Sequence, residues 1–441
     1  MVRSNIVNFK IEGGKRLHGK VRVNTSKNSA VGLLCASLLN RGTTTLKNMP
    51  RIEEVNRVLE VLASIGVQVK WKNGNDLEIT PPARINLAHM DTEAAMKTRS
   101  VIMLLAPLAH HLSKFVLPYP GGCKLGRRTV RPHLFALERF GIDIVAHKGK
   151  YRVRVKKALA PADVVLYEAG DTVTENALMA AAKIEGTSVI KFASANYQVQ
   201  DVCRYLVALG VGIEGIGTST LTVRGKTDIN ADITFCPSED PIEAMLFISL
   251  AATTKSSITI LRCPIDFLEL ELLKLEKMGF RYTILKRYVA ENGFTNLVDI
   301  RTAPSRLTAL EEKIAAQPFP GLNIDNLPFF VPVATQAKGT TLVHDWVYEN
   351  RAIYYMELTK LGADILFADP HRVFINGPTV LRGTEIICPP ALRPAVIILI
   401  AMLAAKGESV LRNVYSINRG YEDLCNRLQK LGAKIEMLSD A

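Results

Sequence analysis

The sequence predicts an α/β protein of two domains, assembled from six copies of one unit in which helix and strand alternate, three copies to each domain. Three observations carry this. First, a run of the form Leu, two variable residues, an apolar residue and Gly recurs at Leu62–Gly66, Leu137–Gly141, Leu206–Gly210, Leu275–Gly279, Leu358–Gly362 and Leu428–Gly432. Second, successive glycines of the set lie 75, 69, 69, 83 and 70 residues apart, a period long enough for two helices and several strands. Third, a strand-like alternation follows the glycine: Val67–Val69, Ile142–Ile144, Val211–Ile213, Ala363–Ile365 and Ala433–Ile435. Glycine just past a helix takes the left-handed turn that a Cβ resists, so each copy reads as a helix end feeding a strand.

Within each unit a second strand is expected about 24 residues before most of these glycines. The candidates are Gly42–Leu46, Gly186–Ile190, Lys255–Ile260, Gly339–Val343 and Gly407–Leu411. Upstream lies an apolar or amphipathic helix, as at Ala30–Leu39, Ala177–Lys183 and Ala395–Lys406. The second copy has its strand near Lys114–Leu117, about four residues farther from its glycine, and the excess falls in Pro120-Gly-Gly-Cys-Lys-Leu-Gly-Arg-Arg128. A Gly- and Arg-rich insertion carrying a thiol is where a scaffold repeat departs for function. A second excess, Arg301–Leu327, lies in the longest gap. Chain crossings near Asn24–Lys27 and Cys236–Pro241 make residues 27–238 domain I and residues 1–26 with 239–441 domain II. Domain I carries the Cys123 loop; domain II carries Asp325, Arg393 and Arg419.

Composition narrows the class. At 441 residues, 48% hydrophobic and 22% charged, the chain has ample core for two domains. The apolar runs near Val101–Ala109 and Ala395–Ala405 are too short to cross a bilayer, so no membrane partner is expected. Met1–Lys15 has no apolar signal region, and seven cysteines without a CxxC pair favour reduced thiols; together these point to the cytoplasm. A net charge of +13 calls for anionic ligands. Its lysines and arginines are dispersed, with no basic tail and no RRM or KH signature, which disfavours nucleic acid and favours a small anionic substrate.

Several residue groups can carry chemistry. The Cys123 thiol lies among Lys124, Arg127 and Arg128, a positive field that favours the thiolate and supports a nucleophile or proton donor. Those arginines can fork onto phosphate or carboxylate, and the backbone of Gly121, Gly122 and Gly126 can add an anion nest. Cys35, Cys203 and Cys425 fall in helical apolar patterns and read as core. Lys27-Asn28 stands before a helix, where an ammonium and an amide can meet a ligand near its positive end. Glu349-Asn-Arg351, Leu392-Arg393 and Asn418-Arg-Gly-Tyr421 occupy strand ends or helix starts in successive copies, which suggests convergence on one anion.

In order along the chain, the Lys-Asn pair, Gly-Gly-Cys-x-x-Gly-x-Arg, Arg301–Pro304, Tyr348–Arg351, Leu392-Arg393 and Ile417–Glu422 resemble the enolpyruvyl transferases, and most closely those acting on UDP-N-acetylglucosamine. The resemblance runs from Phe9 to Ile435. It implies a two-domain inside-out α/β barrel of six βαβαββ repeats, three per domain, and transfer of the enolpyruvyl group of phosphoenolpyruvate to a hydroxyl without metal or organic cofactor. By position, Cys123 would protonate the methylene carbon and Asp325 would take the acceptor's hydroxyl proton. Lys27, Arg128, Arg393 and Arg419 would hold phosphoenolpyruvate; Asn28, Arg99, Glu349 and Arg351 would face the acceptor.

Departures from the family pattern gather on the acceptor side. They read Arg128-Thr-Val-Arg131, Glu168-Ala-Gly-Asp-Thr172, Ala195-Asn-Tyr-Gln198, Asp240-Pro-Ile-Glu243 and Ala391-Leu-Arg393. Carboxylates near a diphosphate repel it, so the acceptor could be UDP-N-acetylglucosamine or another nucleotide or phosphorylated hydroxyl compound. A non-catalytic anion- or nucleic-acid-binding protein on the same scaffold is the alternative of another class.

Overall fold

The computed structural model describes residues 7–121, 129–156 and 158–439. They form two compact units, residues 7–24 with 239–439, and residues 25–121, 129–156 and 158–238. The architecture is mixed α/β.

In the unit that begins at residue 25, segment 163–225 shows the local order most plainly. Strand Asp163–Val165 leads to helix Asp171–Ala181, strand Gly186–Lys191, helix Tyr197–Ala208, then strands Gly212–Glu214 and Thr220–Gly225. Asp163–Val165 runs parallel to Gly186–Lys191, Gly186–Lys191 antiparallel to Thr220–Gly225, and Thr220–Gly225 antiparallel to Gly212–Glu214. The same sequence of pairings holds Ile233–Phe235, Thr44–Leu46, Leu77–Thr80 and Gln68–Trp71 in a second sheet, whose first strand arrives from far along the chain. A third sheet pairs Lys114–Pro118, Lys150–Val155 and Ile142–His147.

In the other unit, His18–Arg22, Ser257–Pro264, Asn296–Ala303 and Arg281–Val289 repeat the pattern. So do the short strands Leu307–Thr308 and Ile314–Ala315 beside Ala337–His344, followed by Arg372–Gly377 and Asp364–Asp369. The last sheet is completed by the N-terminal strand Val7–Gly13, set between Gly407–Arg412 and Lys434–Ser439, with Glu385–Ile387 on the outside. Among the described residues every sheet is an open row of strands; none closes on itself.

Each unit is organised around helices buried along most of their length, which marks them as core. One set is Lys27–Ala36, Asp171–Ala181 and Tyr197–Ala208, in mutual contact. The other is Pro241–Thr253, buried along its whole length, with Phe330–Ala334 and Leu392–Ala404. Strands alternate against them: in Lys150–Val155, Tyr151 and Val153 point inward while Lys150, Arg152 and Arg154 stay exposed. All six signature glycines have φ between 87° and 97°, each just after a helical turn and just before a strand. Two expectations need adjusting. The helix read as Ala30–Leu39 begins at Lys27, because Ser26 caps it, and ends in a 3₁₀ turn, Ser37–Leu39. The turn before Gly362, Ala352–Leu361, is a 3₁₀ helix throughout, not an α-helix. Cys35, Cys203 and Cys425 are buried thiols, and burial pushes the first two far above the usual thiol range.

Candidate active site

In the unit of residues 7–24 and 239–439, three of the expected site residues come together. Asp325 lies in the turn after Asn323, whose side-chain oxygen accepts from the Asp325 amide at 2.9 Å. Arg393 is the second residue of the buried helix Leu392–Ala404. Its Nη2 donates to Asp325 Oδ2 at 3.2 Å, and its Nη1 donates to the Tyr421 hydroxyl at 2.7 Å. Arg351, just before Ala352–Leu361, approaches the other carboxylate oxygen, Nη1 to Oδ1, at 3.7 Å. One carboxylate thus stands between two guanidiniums.

The two cations are held differently. Arg351 is 1% exposed. It donates to both oxygens of Asp345, at 2.6 and 2.8 Å, and to the carbonyl of Ile324 at 2.7 Å, while its guanidinium lies 4.3 Å from the centre of the Tyr348 ring. Tyr355 donates its hydroxyl to Asp345 at 2.5 Å. Burial works against the charge on Arg351, but Asp345 outweighs it and holds the guanidinium firmly protonated. Sequence reasoning misses Asp345 and Tyr355, since an acid six positions before a buried arginine is a weak cue, and includes Tyr348 only as the first residue of the Tyr348–Arg351 motif.

Arg419 ends the short helix Tyr415–Asn418 and is half-buried. The following Gly420 lies against Leu392, near the start of the Arg393 helix; a Cβ there would meet the Leu392 side chain at 2.3 Å and push it aside. Burial pushes the Tyr421 phenol far up despite Arg393. Asp240, the cap of helix Pro241–Thr253, is pushed up to about 6 by burial, with Arg393 opposing and Glu243 adding to the rise. Glu349 sits exposed in the turn before Arg351.

In the unit that begins at residue 25, Lys27 and Asn28 form the first turn of their helix, above the Ser26 cap. Asn28 Nδ2 donates to the Tyr197 hydroxyl at 3.4 Å, and Ser26 Oγ donates to the same oxygen at 3.3 Å. Two of the acceptor-side departures are tied to each other. Asp171 accepts from Ser194 Oγ at 2.5 Å and from Asn196 Nδ2 at 3.1 Å, so its carboxylate is held by hydrogen bonds within the fold. Arg99 lies toward segment 129–133, donating to the Thr129 carbonyl at 3.3 Å. His133 beside it is held down to about 3, by burial and then by Arg99, and is a neutral imidazole bonded to Asn176. Cys123 and Arg128 lie outside the described residues.

On helix Asp171–Ala181, against Gly32 of the first helix, Glu175 is fully buried, and Gln198 only partly offsets the loss of water around its carboxyl. Burial first, then repulsion from Asp171 and Asp201, pushes its carboxyl well above the carboxylate range. The folded chain therefore holds a proton that the unfolded chain gives up near pH 4. Its stabilising share is full below that pH and declines as pH rises. Glu175→Gln needs no proton, so its urea midpoint should match wild type at pH 4 and move above it between pH 5 and 8. A constant difference across that range would sink the assignment of a neutral acid.

Comparison with known proteins places the whole chain. A family model described as EPSP synthase (3-phosphoshikimate 1-carboxyvinyltransferase) matches residues 11–440. The UDP-N-acetylglucosamine 1-carboxyvinyltransferase of Bradyrhizobium diazoefficiens is 34% identical over 434 residues, 98% of this chain and 99% of that protein. The protein of the same name from Treponema denticola is 34% identical over 433 residues, 97% and 98% of the two. Among solved structures, the enolpyruvyl transferase NikO from Streptomyces tendae superposes with a TM-score of 0.86 at 23% identity, covering 99% of this chain and all of that one. EPSP synthase from Acinetobacter baumannii gives 0.78 at 19% identity, covering 98% of this chain and all of that one, and both share the fold. With a family match over nearly its full length and relatives above 30% identity end to end, the chain belongs to the EPSP synthase family of enolpyruvyl transferases.

Proposed function

We propose that the protein transfers the enolpyruvyl group of phosphoenolpyruvate to the 3-hydroxyl of UDP-N-acetylglucosamine, releasing phosphate, a step that commits the sugar nucleotide to peptidoglycan precursors. The observation that carries it is Asp325 held between Arg351 and Arg393, in a chain that matches proteins of that name end to end. The acceptor oxygen bonds to the central carbon of phosphoenolpyruvate as Asp325 removes its proton. The methylene carbon is protonated by Cys123, and loss of that carbon's proton then expels phosphate and restores the double bond. Arg393, Arg419, Lys27 and Arg128 stabilise the phosphate and carboxylate charge. Asn28, Arg99, Glu349 and Arg351 serve the acceptor side.

The same reading gives the fold its finer description, an inside-out α/β barrel of six βαβαββ repeats in two domains, 27–238 and 1–26 with 239–441. The recurring order of one parallel and two antiparallel pairings supports it. A cytoplasmic site of action fits a precursor of this kind; among the described residues no helix is long and apolar enough to cross a membrane.

A second acceptor is favoured by one observation: Asp171, Ser194 and Asn196 close on each other where the family pattern reads differently. Phosphate release from phosphoenolpyruvate, measured with UDP-N-acetylglucosamine and with a panel of other nucleotides and phosphorylated alcohols, decides between them. Release with the sugar nucleotide is expected; folded protein that is silent with it and active with another acceptor overturns that acceptor. Cys123→Ala should lose most turnover while Cys123→Asp, which keeps a proton donor, retains part of it. Equal loss in both variants would remove the acid role.

A further inference from the structure

Arg393 divides its fork between two acceptors, Tyr421 at 2.7 Å and Asp325 at 3.2 Å, and its guanidinium lies 5.5 Å from the centre of the Tyr421 ring. Arg351 faces the other oxygen of Asp325. The two cations differ in what it takes to move them. Arg351 is fixed by two hydrogen bonds to Asp345, a third to the Ile324 carbonyl and the Tyr348 ring. Arg393, itself buried, donates to Asp325 at 3.2 Å, whereas the Asp325 side chain keeps 23% exposure, so an incoming ligand meets the pair from the Asp325 side. An anion can compete for Arg393 far more easily than for Arg351.

We infer that the Arg393–Asp325 pair is a latch on the base: an anionic substrate that takes Arg393 frees Asp325 to accept a proton, and Tyr421 is the positioning residue that holds the guanidinium in its latched place. The inference rests on the reading of Asp325 as the base. A carboxylate between two guanidiniums is stabilised as the anion and is a poor proton acceptor; withdrawal of one cation raises its proton affinity by about one to three pH units. The base therefore becomes competent when phosphoenolpyruvate is in place and stays quiet in its absence. No new bond is required, only an exchange of hydrogen-bond partners by Arg393.

Other charged groups face the same cation. Asp240 and Glu243, at the start of helix Pro241–Thr253, act on Arg393 and Tyr421, and Glu243 is paired with Arg427. Asp240 is pushed up to about 6 by burial and lowered by Arg393, so its own proton uptake when Arg393 moves away has to be separated from that of Asp325.

Calorimetry of phosphoenolpyruvate binding to the full chain at about pH 4.5, close to the ordinary aspartate range, in two buffers of different ionisation enthalpy, counts the protons taken up. Wild type is expected to take up about a fifth of a proton more per bound ligand than Asp325→Asn, and Asp240→Asn is expected to keep that excess. Tyr421→Phe preserves shape and removes the hydroxyl; the guanidinium is then held less firmly in its latched place, so phosphoenolpyruvate should bind at least as tightly as to wild type and the excess should shrink, because the guanidinium no longer rests on Asp325 in the free protein. Arg393→Lys, which keeps the charge without the fork, should also lose the excess. A merely structural Tyr421 would lower the melting temperature and leave the proton count alone. Binding with equal uptake in wild type and Asp325→Asn overturns the latch by itself. Phosphoenolpyruvate that fails to bind overturns the function reading and the latch with it, whereas bound ligand without phosphate release from UDP-N-acetylglucosamine counts against the acceptor only.

Discussion

Asp325→Asn is expected to lower kcat by about a thousandfold, within the range a positioned general base contributes. The substitution is nearly isosteric, and the amide oxygen can still accept from Arg393 Nη2, so the local geometry survives while the proton acceptor is lost. Phosphoenolpyruvate affinity should rise or stay level, because Arg393 no longer has a carboxylate to leave. That split separates two roles for the residue. A base removed from the reaction lowers kcat with KM for phosphoenolpyruvate unchanged or reduced; a residue that merely orients the ligand raises KM. Phosphate release under saturating substrates, together with single-turnover rates, reads the difference. A kcat within tenfold of wild type would assign the proton to another group.

The parts of this fold that are legible in sequence are those fixed by local chemistry. Six glycines at the same place in the repeated run all take φ near +90°, because no side chain tolerates that turn well, and the pattern around each glycine is short enough to read directly. The strands after them follow for the same reason. What sequence withholds is the partner of each strand. Val7–Gly13 completes a sheet with Gly407–Arg412, and Ile233–Phe235 supplies the first strand for Thr44–Leu46; neither pairing leaves a local mark. Sequence also places helix ends loosely: Ser26 as a cap moves the start of its helix three residues earlier than the apolar pattern suggests.

The candidate site divides along the same line. Arg351 and Arg393 are grouped in sequence by their equivalent places in successive copies and Asp325 joins them by family resemblance; in the structure the three meet within hydrogen-bond or ion-pair distance. Their supporting groups were missed because they act through burial. Asp345 looks like an ordinary strand-end acid until the chain folds over it, and Tyr421 reads as one letter of a motif until its hydroxyl is found on Arg393. The acceptor-side departures are likewise opaque one at a time. Asp171 alone suggests charge repulsion toward a diphosphate, yet in the fold its carboxylate is held by hydrogen bonds from Ser194 and Asn196.

The largest effect on stability is expected at Arg351. Its side chain is 1% exposed and Asp345 is completely buried, so the pair has already lost its water and depends on mutual contact. Arg351→Ala leaves the Asp345 carboxylate in the core with the Tyr355 hydroxyl and no cation, a change that typically costs about 3–5 kcal/mol. For a unit of this size that corresponds to a fall of roughly 10 °C in Tm. The double variant Arg351→Met with Asp345→Leu removes both charges and should recover much of the loss, because the expense lies in the orphaned carboxylate and not in the absence of the pair. Activity would not recover, since Arg351 Nη1 no longer faces Asp325. Thermal melts of the single and double variants, read beside phosphate release, separate the two contributions. A Tm for Arg351→Ala within about 2 °C of wild type would mean that Asp345 takes up a proton or reaches solvent when its partner is gone, and that the buried pair does not hold this part of the unit together.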